Sequence, residues 1–305
     1  MQLLGPLSVF PKAKAIIVKQ VSELISLLDL ERLEVNLFRG KSKTVGSARV
    51  FGGQVMAQAL SAAMKTVPED RYVHSLHGYF VLPGDLDIPI VFEVDRIRDG
   101  GSFTTRAVKA IQNGAAIFHL TASFQLDQEG YDHQAEMPKV LGHEEVVSYD
   151  DMAKQFGDQL PENIKRILKI ARPIEFRPVE FLNPFAQEKY EPIRNVWLRA
   201  KGSMDSASRR DHELVLAYAS DYNLLTTALF PHGRAIDHRN LQIASLDHAM
   251  WFHRPFRADE WLLYSIDSPS ASGARGFTRG HIWDVEGKLV ASVVQEGLMR
   301  EVRKK

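Results

Sequence analysis

Asp221 is the residue with most to explain. It falls on the apolar face of a helical run in which Leu214, Ala217, Tyr218, Leu224, Leu225 and Ala228 recur at helical spacing. A carboxylate buried there without a partner costs several kcal/mol, so it reaches a partner or faces a cavity that water or a ligand enters. A capping or surface role is the plain alternative. Ser245, on the strand that follows, offers a hydroxyl, and Gln295, in Ser-Val-Val-Gln-Glu-Gly, offers both a donor and an acceptor. Together the three could hold and polarise a water molecule. None is an obvious covalent nucleophile, because Ser245 sits in Ile-Ala-Ser-Leu-Asp and not in a Gly-x-Ser-x-Gly elbow.

Other polar residues invite readings of their own. His248 and His253 suggest a metal, as do His74 and His77, but separations of five and three put each pair on opposite faces of a strand. His248 could instead support the site through Asp247, or simply pack. Arg275 and Arg279 flank Gly276 in a turn-rich segment, where they could meet phosphates or form an ordinary solvated strand end. Gly100, Gly101 and Gly273 read as hairpin glycines, since no strand-turn-helix frame surrounds them. Trp251, Phe252 and Trp283 suit a core or the lining of an apolar pocket.

The elements that must position these groups are legible in outline. Residues 19–30 have helical periodicity, Leu33 to Phe38 alternates like a strand, and Gln54 to Val67, rich in Ala, Met, Gln and Leu, predicts a helix. Gly52 and Gly53 ahead of it permit a tight turn and leave the helix N-terminus open. Four strands then follow at His74–Leu82, Ile88–Ile97, Ser102–Gln112 and Ala115–Gln125, separated by Pro-Gly-Asp, Arg-Asp-Gly-Gly and Gln-Asn-Gly turns. A helix ahead of a run of antiparallel strands is an α+β pattern. Residues 127–150 suit a linker, with short helices expected at 150–157 and 162–169, strands at 175–181 and 192–201, and a long helix at about 211–229.

The second half repeats the first. Phe80-Val-Leu-Pro83 aligns with Phe252-His-Arg-Pro255 at an offset of 172, which also sets Gly101-Ser-Phe-Thr-Thr-Arg against Gly273-Ala-Arg-Gly-Phe-Thr. One residue further on, Gln295 corresponds to Ala122, and no Asp occurs between Gly52 and Val67. An internal duplication therefore predicts two packed helix-and-sheet units with one site per chain.

Composition narrows the class. The chain has 305 residues, enough to bury roughly three quarters of its unfolded surface, and length alone suggests two domains. Lys plus Arg and Asp plus Glu each total 38, with no long like-charge run, which argues against a nucleic-acid surface. With no cysteine there is no disulfide, thiolate nucleophile or Cys-based zinc site, and a reducing cytoplasm fits. Gly5, Pro6, Pro11, Lys12 and Lys14 interrupt any signal-like or membrane-spanning run. The C-terminal Arg303-Lys304-Lys305 is not a peroxisomal address of the Ser-Lys-Leu type.

Several motifs in one order resemble the acyl-CoA thioesterase II family. They are Phe51-Gly-Gly-Gln-Val, His74-Ser-Leu-His-Gly-Tyr-Phe, Arg98-Asp-Gly-Gly-Ser-Phe, Asp221-Tyr-Asn-Leu-Leu, Pro231-His-Gly, Ser245-Leu-Asp-His-Ala-Met-Trp-Phe, Ser272-Gly-Ala-Arg-Gly-Phe and Val294-Gln-Glu-Gly-Leu-Met-Arg. The resemblance implies a double hotdog, two long helices each wrapped by a curved antiparallel sheet: residues 16–126, a linker at 127–170, and residues 171–302 carrying the catalytic groups. It implies hydrolysis of acyl-CoA to fatty acid and CoA with no metal or bound cofactor. It places the catalytic residues on Asp221, Ser245 and Gln295, with Ser where a Thr is also found. Asp221 would deprotonate a water that Ser245 and Gln295 position. Gly53, as a possible oxyanion donor, and His74, His248 and Arg275 form the wider set expected to contact substrate. A non-catalytic acyl-CoA-binding hotdog protein and a hotdog dehydratase, the latter needing a His paired with an acid, are the competing readings. Long exposed sheet edges would favour a homodimer or homotetramer.

Overall fold

A computed structural model describes residues 17–156, 159–160, 165, 168, 170–180, 182–183, 188–234 and 240–302. The first half runs α1 (Val21–Leu28), β1 (Glu31–Glu34), β2 (Leu37–Gly40), α2 (Gly52–Met64), β3 (Arg71–Phe80), β4 (Ile90–Asp99), β5 (Phe103–Gln112) and β6 (Ala115–Leu126). After α3 (Tyr149–Phe156) come β7 (Ile174–Pro178), β8 (Ile193–Ala200), α4 (Arg209–Ser220) and a 3-10 helix at Leu225–His232. The chain ends with β9 (Leu241–Ser245), β10 (Asp247–Phe252), β11 (Leu262–Ser272), β12 (Arg275–Asp284) and β13 (Leu289–Glu301).

Helix α2 forms because Ala, Met, Gln and Leu are strong helix formers, and it is buried all round from Gly53 to Met64, as a helix wrapped by a sheet must be. Its N-cap, Phe51, offers no side-chain hydrogen bond. The missing cap comes from 168 residues away: Gly53 N donates to Asp221 Oδ2 at 2.8 Å. At the other end, the Arg210 guanidinium donates to the carbonyls of Met64, Pro68 and Arg71. Each end of the α2 dipole thus meets a charge of opposite sign from α4. Phe51 packs on Tyr218 and Tyr222, with centroids 5.2 and 4.5 Å away, and ties the two helices together.

The strands form one sheet of 13, not two. Its order is β1-β2-β4-β5-β6-β3-β10-β13-β12-β11-β8-β7, with β9 also paired to β13. The seam is antiparallel, with Leu76 opposite Met250 on β3 and β10. The outer strands are β1, four exposed residues, and β7, which ends in Pro178. Short charged or proline-bearing edges resist further pairing, so the long edges expected from the sequence are absent among the described residues.

Three further differences have local causes. The strand expected at Leu33–Phe38 folds back as the β1–β2 hairpin, Glu34 pairing with Leu37. The linker is a strap: Leu141 O accepts a hydrogen bond from Trp197 Nε1 at 2.9 Å, and Met137, Val140 and Val146 cover Trp197, Trp261 and Leu263 on the outer face. The long helix expected at 211–229 stops at Ser220, because Asn223 adopts a left-handed φ of 67° before the 3-10 turn begins. The helix expected at 162–169 lies largely outside the described residues.

Candidate active site

Ending α4 at Ser220 makes Asp221 its C-cap rather than an interior residue. The carboxylate sits at the negative end of its own helix and against the positive end of α2. Only glycine lets α2 come so close, since a Cβ on Gly52 would lie 2.7 Å from Asp221 Oδ2 and 3.0 Å from the Phe80 ring. The side chain of Asp221 is 6% exposed. Burial raises its pKa to about 6, while hydrogen bonds from Gln295, Gly53 and Ser245 oppose that rise. Gln295 Nε2 donates to Oδ1 at 2.8 Å.

Gln295 is held from behind. Its Nε2 also lies 3.1 Å from His248 Nδ1, and His248 Nε2 lies 3.0 Å from Ser220 Oγ, which donates to Ala217 O at 2.9 Å. Burial pushes His248 down to about 3, so the ring is neutral at physiological pH. With Nδ1 accepting from an amide that must donate to a carboxylate, Nε2 carries the ring proton and donates to Ser220. Tyr264 completes the chain by donating its hydroxyl to Ser220 O at 3.0 Å. The whole series orients one amide nitrogen toward one carboxylate. Gln295 Oε1, also buried, receives no hydrogen bond from a described residue.

A one-residue bulge brings Ser245 in. Ser245 pairs with Gly297 but Ala249 with Val294, so the first strand carries an extra residue around Leu246. Leu246 N donates to Glu296 O at 2.9 Å, and Glu296 N to Asp247 Oδ1 at 2.6 Å, which fixes the backbone next to Gln295.

The structure therefore gathers Asp221, Ser245, Gln295, Gly53 and His248. It assigns Gly53 differently from the sequence reading, because the amide expected to face an oxyanion is spent on Asp221. His74 is not at the site. It is hydrogen-bonded to Ser123 Oγ at 2.8 Å, six residues along β3 from Phe80, about 20 Å at 3.3 Å per residue. Arg275 is also elsewhere. Thr278, opposite Gln295, faces inward, so Arg275, three residues away, faces outward, where it pairs with Glu296 at 2.8 Å. Sequence reasoning missed Ser220 and Tyr264, although the offset of 172 sets Tyr264 against Phe92 and so marks an added hydroxyl.

Two helices, each packed into a half of one antiparallel sheet, with a buried polar site where they meet, define a double hotdog. Residues 164–298 match the acyl-CoA thioesterase family, and residues 39–125 match the acyl-CoA thioesterase N-terminal domain. The chain is 40% identical over 280 residues to acyl-CoA thioesterase 2 of Haemophilus influenzae, covering 92% of this chain and 98% of that one. It is 43% identical over 283 residues to human acyl-coenzyme A thioesterase 8, covering 90% and 88%. Among solved structures, acyl-CoA thioesterase II TesB2 from Mycobacterium marinum superposes with a TM-score of 0.74 at 42% identity, covering 90% of this chain and 97% of that one. The chain belongs to the acyl-CoA thioesterase family and is a thioester hydrolase. No helix among its described residues is long and apolar enough to cross a membrane.

Proposed function

We propose that the chain hydrolyses fatty acyl-CoA through a water activated by Asp221 and positioned by Ser245 and Gln295. The observation that carries this reading is the pairing of a buried carboxylate, its pKa raised to about 6, with an amide whose Oε1 is buried and bonded by no donor among the described residues. A water between them gives one hydrogen to Asp221 and one to Gln295 Oε1, leaving an oxygen lone pair for the thioester carbonyl carbon. As the carbon–oxygen bond forms, Asp221 takes the proton and charge builds on the carbonyl oxygen, against the positive end of α2. Collapse breaks the carbon–sulfur bond, and the proton on Asp221 passes to the departing thiolate. Ser245 and Gly53 keep the carboxylate in place and partly ionised.

His248 and Asp221 lie 3.9 Å apart, the kind of pair a dehydratase needs. Both ring nitrogens are engaged, however, by Gln295 and Ser220, so neither is free to carry a proton to or from carbon. A pure binding protein has no use for a carboxylate poised near neutral pH.

We further place the enzyme in the cytoplasm as a homo-oligomer. The cysteine-free sequence supports the first, and the exposed run of Tyr79, Val81 and Leu82 supports the second in place of the sheet edges. Incubation with acyl-CoAs of graded length and a chromogenic thiol reagent tests the activity. Free thiol should appear in step with free acid; retention of intact acyl-CoA would favour the binding protein and a change in unsaturation the dehydratase.

A further inference from the structure

The duplication leaves a second set of positions at the opposite end of the helix pair. The C-cap of α2 is Lys65, where α4 has Asp221. Arg106 pairs with Ala122 as Thr278 pairs with Gln295, at the same offsets of 172 and 173. A cavity of about 420 Å³ opens here, within the range of small-ligand sites, and Arg32, Lys65, Arg71, Arg96 and Arg106 line it with Asp99 as its one carboxylate. We infer that this counterpart of the catalytic site is an anion-binding pocket for a small phosphate-bearing molecule.

Local pairing accounts for only two of the five cations. Asp99 meets Arg106 at 2.5 Å and Asp29 meets Lys65 at 2.6 Å. Arg71 has its nearest carboxylate, Asp70, at 3.9 Å, and its Nε is buried and bonded to no described residue. Among the described residues, Arg32 Nε and Arg96 Nε find only neutral oxygens, Glu34 O at 3.3 Å and Asn36 Oδ1 at 3.0 Å. The negative end of α2 does not explain these two either, because they come from β1 and β4, and Arg210 already serves the helix end. The three cations without a close carboxylate, Arg32, Arg71 and Arg96, repel each other around one concavity, and an anion filling it relieves that repulsion while accepting forked hydrogen bonds from the exposed guanidinium groups. Some of the wall is rigid: Arg71 Nη1 donates to Thr104 Oγ1 and Gly100 O, both at 2.8 Å, and Arg106 Nε to Thr66 Oγ1 at 2.9 Å. The pocket shares no residue with the Asp221 site and does not depend on the reaction proposed there.

Calorimetric titration of the full chain with inorganic pyrophosphate, ADP and free CoA at low ionic strength tests this. Binding of at least one anion at one site per chain is expected, weaker by about tenfold in the Arg32→Ala, Arg96→Ala double variant. Both side chains are exposed, so the variant should melt like the parent without anion; if it does not, Arg96→Gln alone is used. Pyrophosphate binding as tightly as ADP identifies a free phosphate ligand, and tighter ADP or CoA binding identifies a nucleotide. CoA also meets the catalytic site as product, so only CoA binding that the variant weakens counts in favour. Absence of binding by all three, or affinity untouched by the double variant, overturns the proposal.

Discussion

The two halves carry opposite chemistry at matching positions. The second half has Ser220, Asp221, His248, Tyr264, Thr278 and Gln295 where the first has Met64, Lys65, Leu76, Phe92, Arg106 and Ala122. Leu76, Phe92 and Ala122 are wholly buried hydrocarbon. His248, Tyr264 and Gln295 are equally buried, yet form a hydrogen-bonded chain that ends on Asp221. A buried polar network is stabilising only when nearly every member is satisfied, so it cannot be half kept. The fold needs the backbone ladder at both ends of the helix pair but the polar chain at only one, which frees the first half to lose the carboxylate.

Converting second-half residues to neutral or first-half ones should erase the difference between the halves in graded steps. The largest effect falls on Asp221→Asn, which should lower kcat about a thousandfold with the fold intact, measured by thiol release. The same variant sharpens the electrostatic account. Folding raises the pKa of Asp221 from 3.8 to about 6, so the wild type binds more protons folded than unfolded between those values and loses stability as pH rises through them. Urea titrations should show the wild type losing about 3 kcal/mol relative to Asp221→Asn between about pH 4 and pH 7.

Smaller effects follow behind Gln295. His248→Leu should lower kcat about tenfold with little change in KM, and should move the acid limb of the rate profile above its wild-type position near pH 6. That limb moves because Gln295 is no longer held against the carboxylate, which a merely structural role would not produce. Tyr264→Phe should cost about 1 kcal/mol of stability and leave turnover within about threefold, since one hydrogen bond to Ser220 O is lost.

Much of this architecture was legible in the residues. Period-two alternation located β3 to β6 within a few residues, and the Ala, Met and Gln run located α2. Asp221 stood out because it broke an apolar face, and Ser245 and Gln295 do reach its carboxylate. The end of α4 was hidden because the apolar spacing continues through Leu224, Leu225 and Ala228 into the 3-10 turn; only the backbone of Asn223 marks the break. The bulge at Leu246 left no signature, since an extra strand residue changes pairing without changing composition. The roles of His248 and Ser220 depend on which ring nitrogen meets which neighbour, a matter of three-dimensional register. The basic cavity escaped notice because its cations come from β1, α2, β3, β4 and β5, scattered along the sequence.

One experiment separates water activation by Asp221 from direct attack by its carboxylate followed by opening of the anhydride at the aspartyl carbon. Acyl-CoA is hydrolysed in a single turnover, enzyme in excess, in oxygen-18 water, and both the fatty acid and the peptide bearing residue 221 are weighed by mass spectrometry. Attack by the activated water puts one heavy oxygen in the acid and none in the peptide. Heavy oxygen in the Asp221 carboxylate, with unlabelled fatty acid, would contradict it.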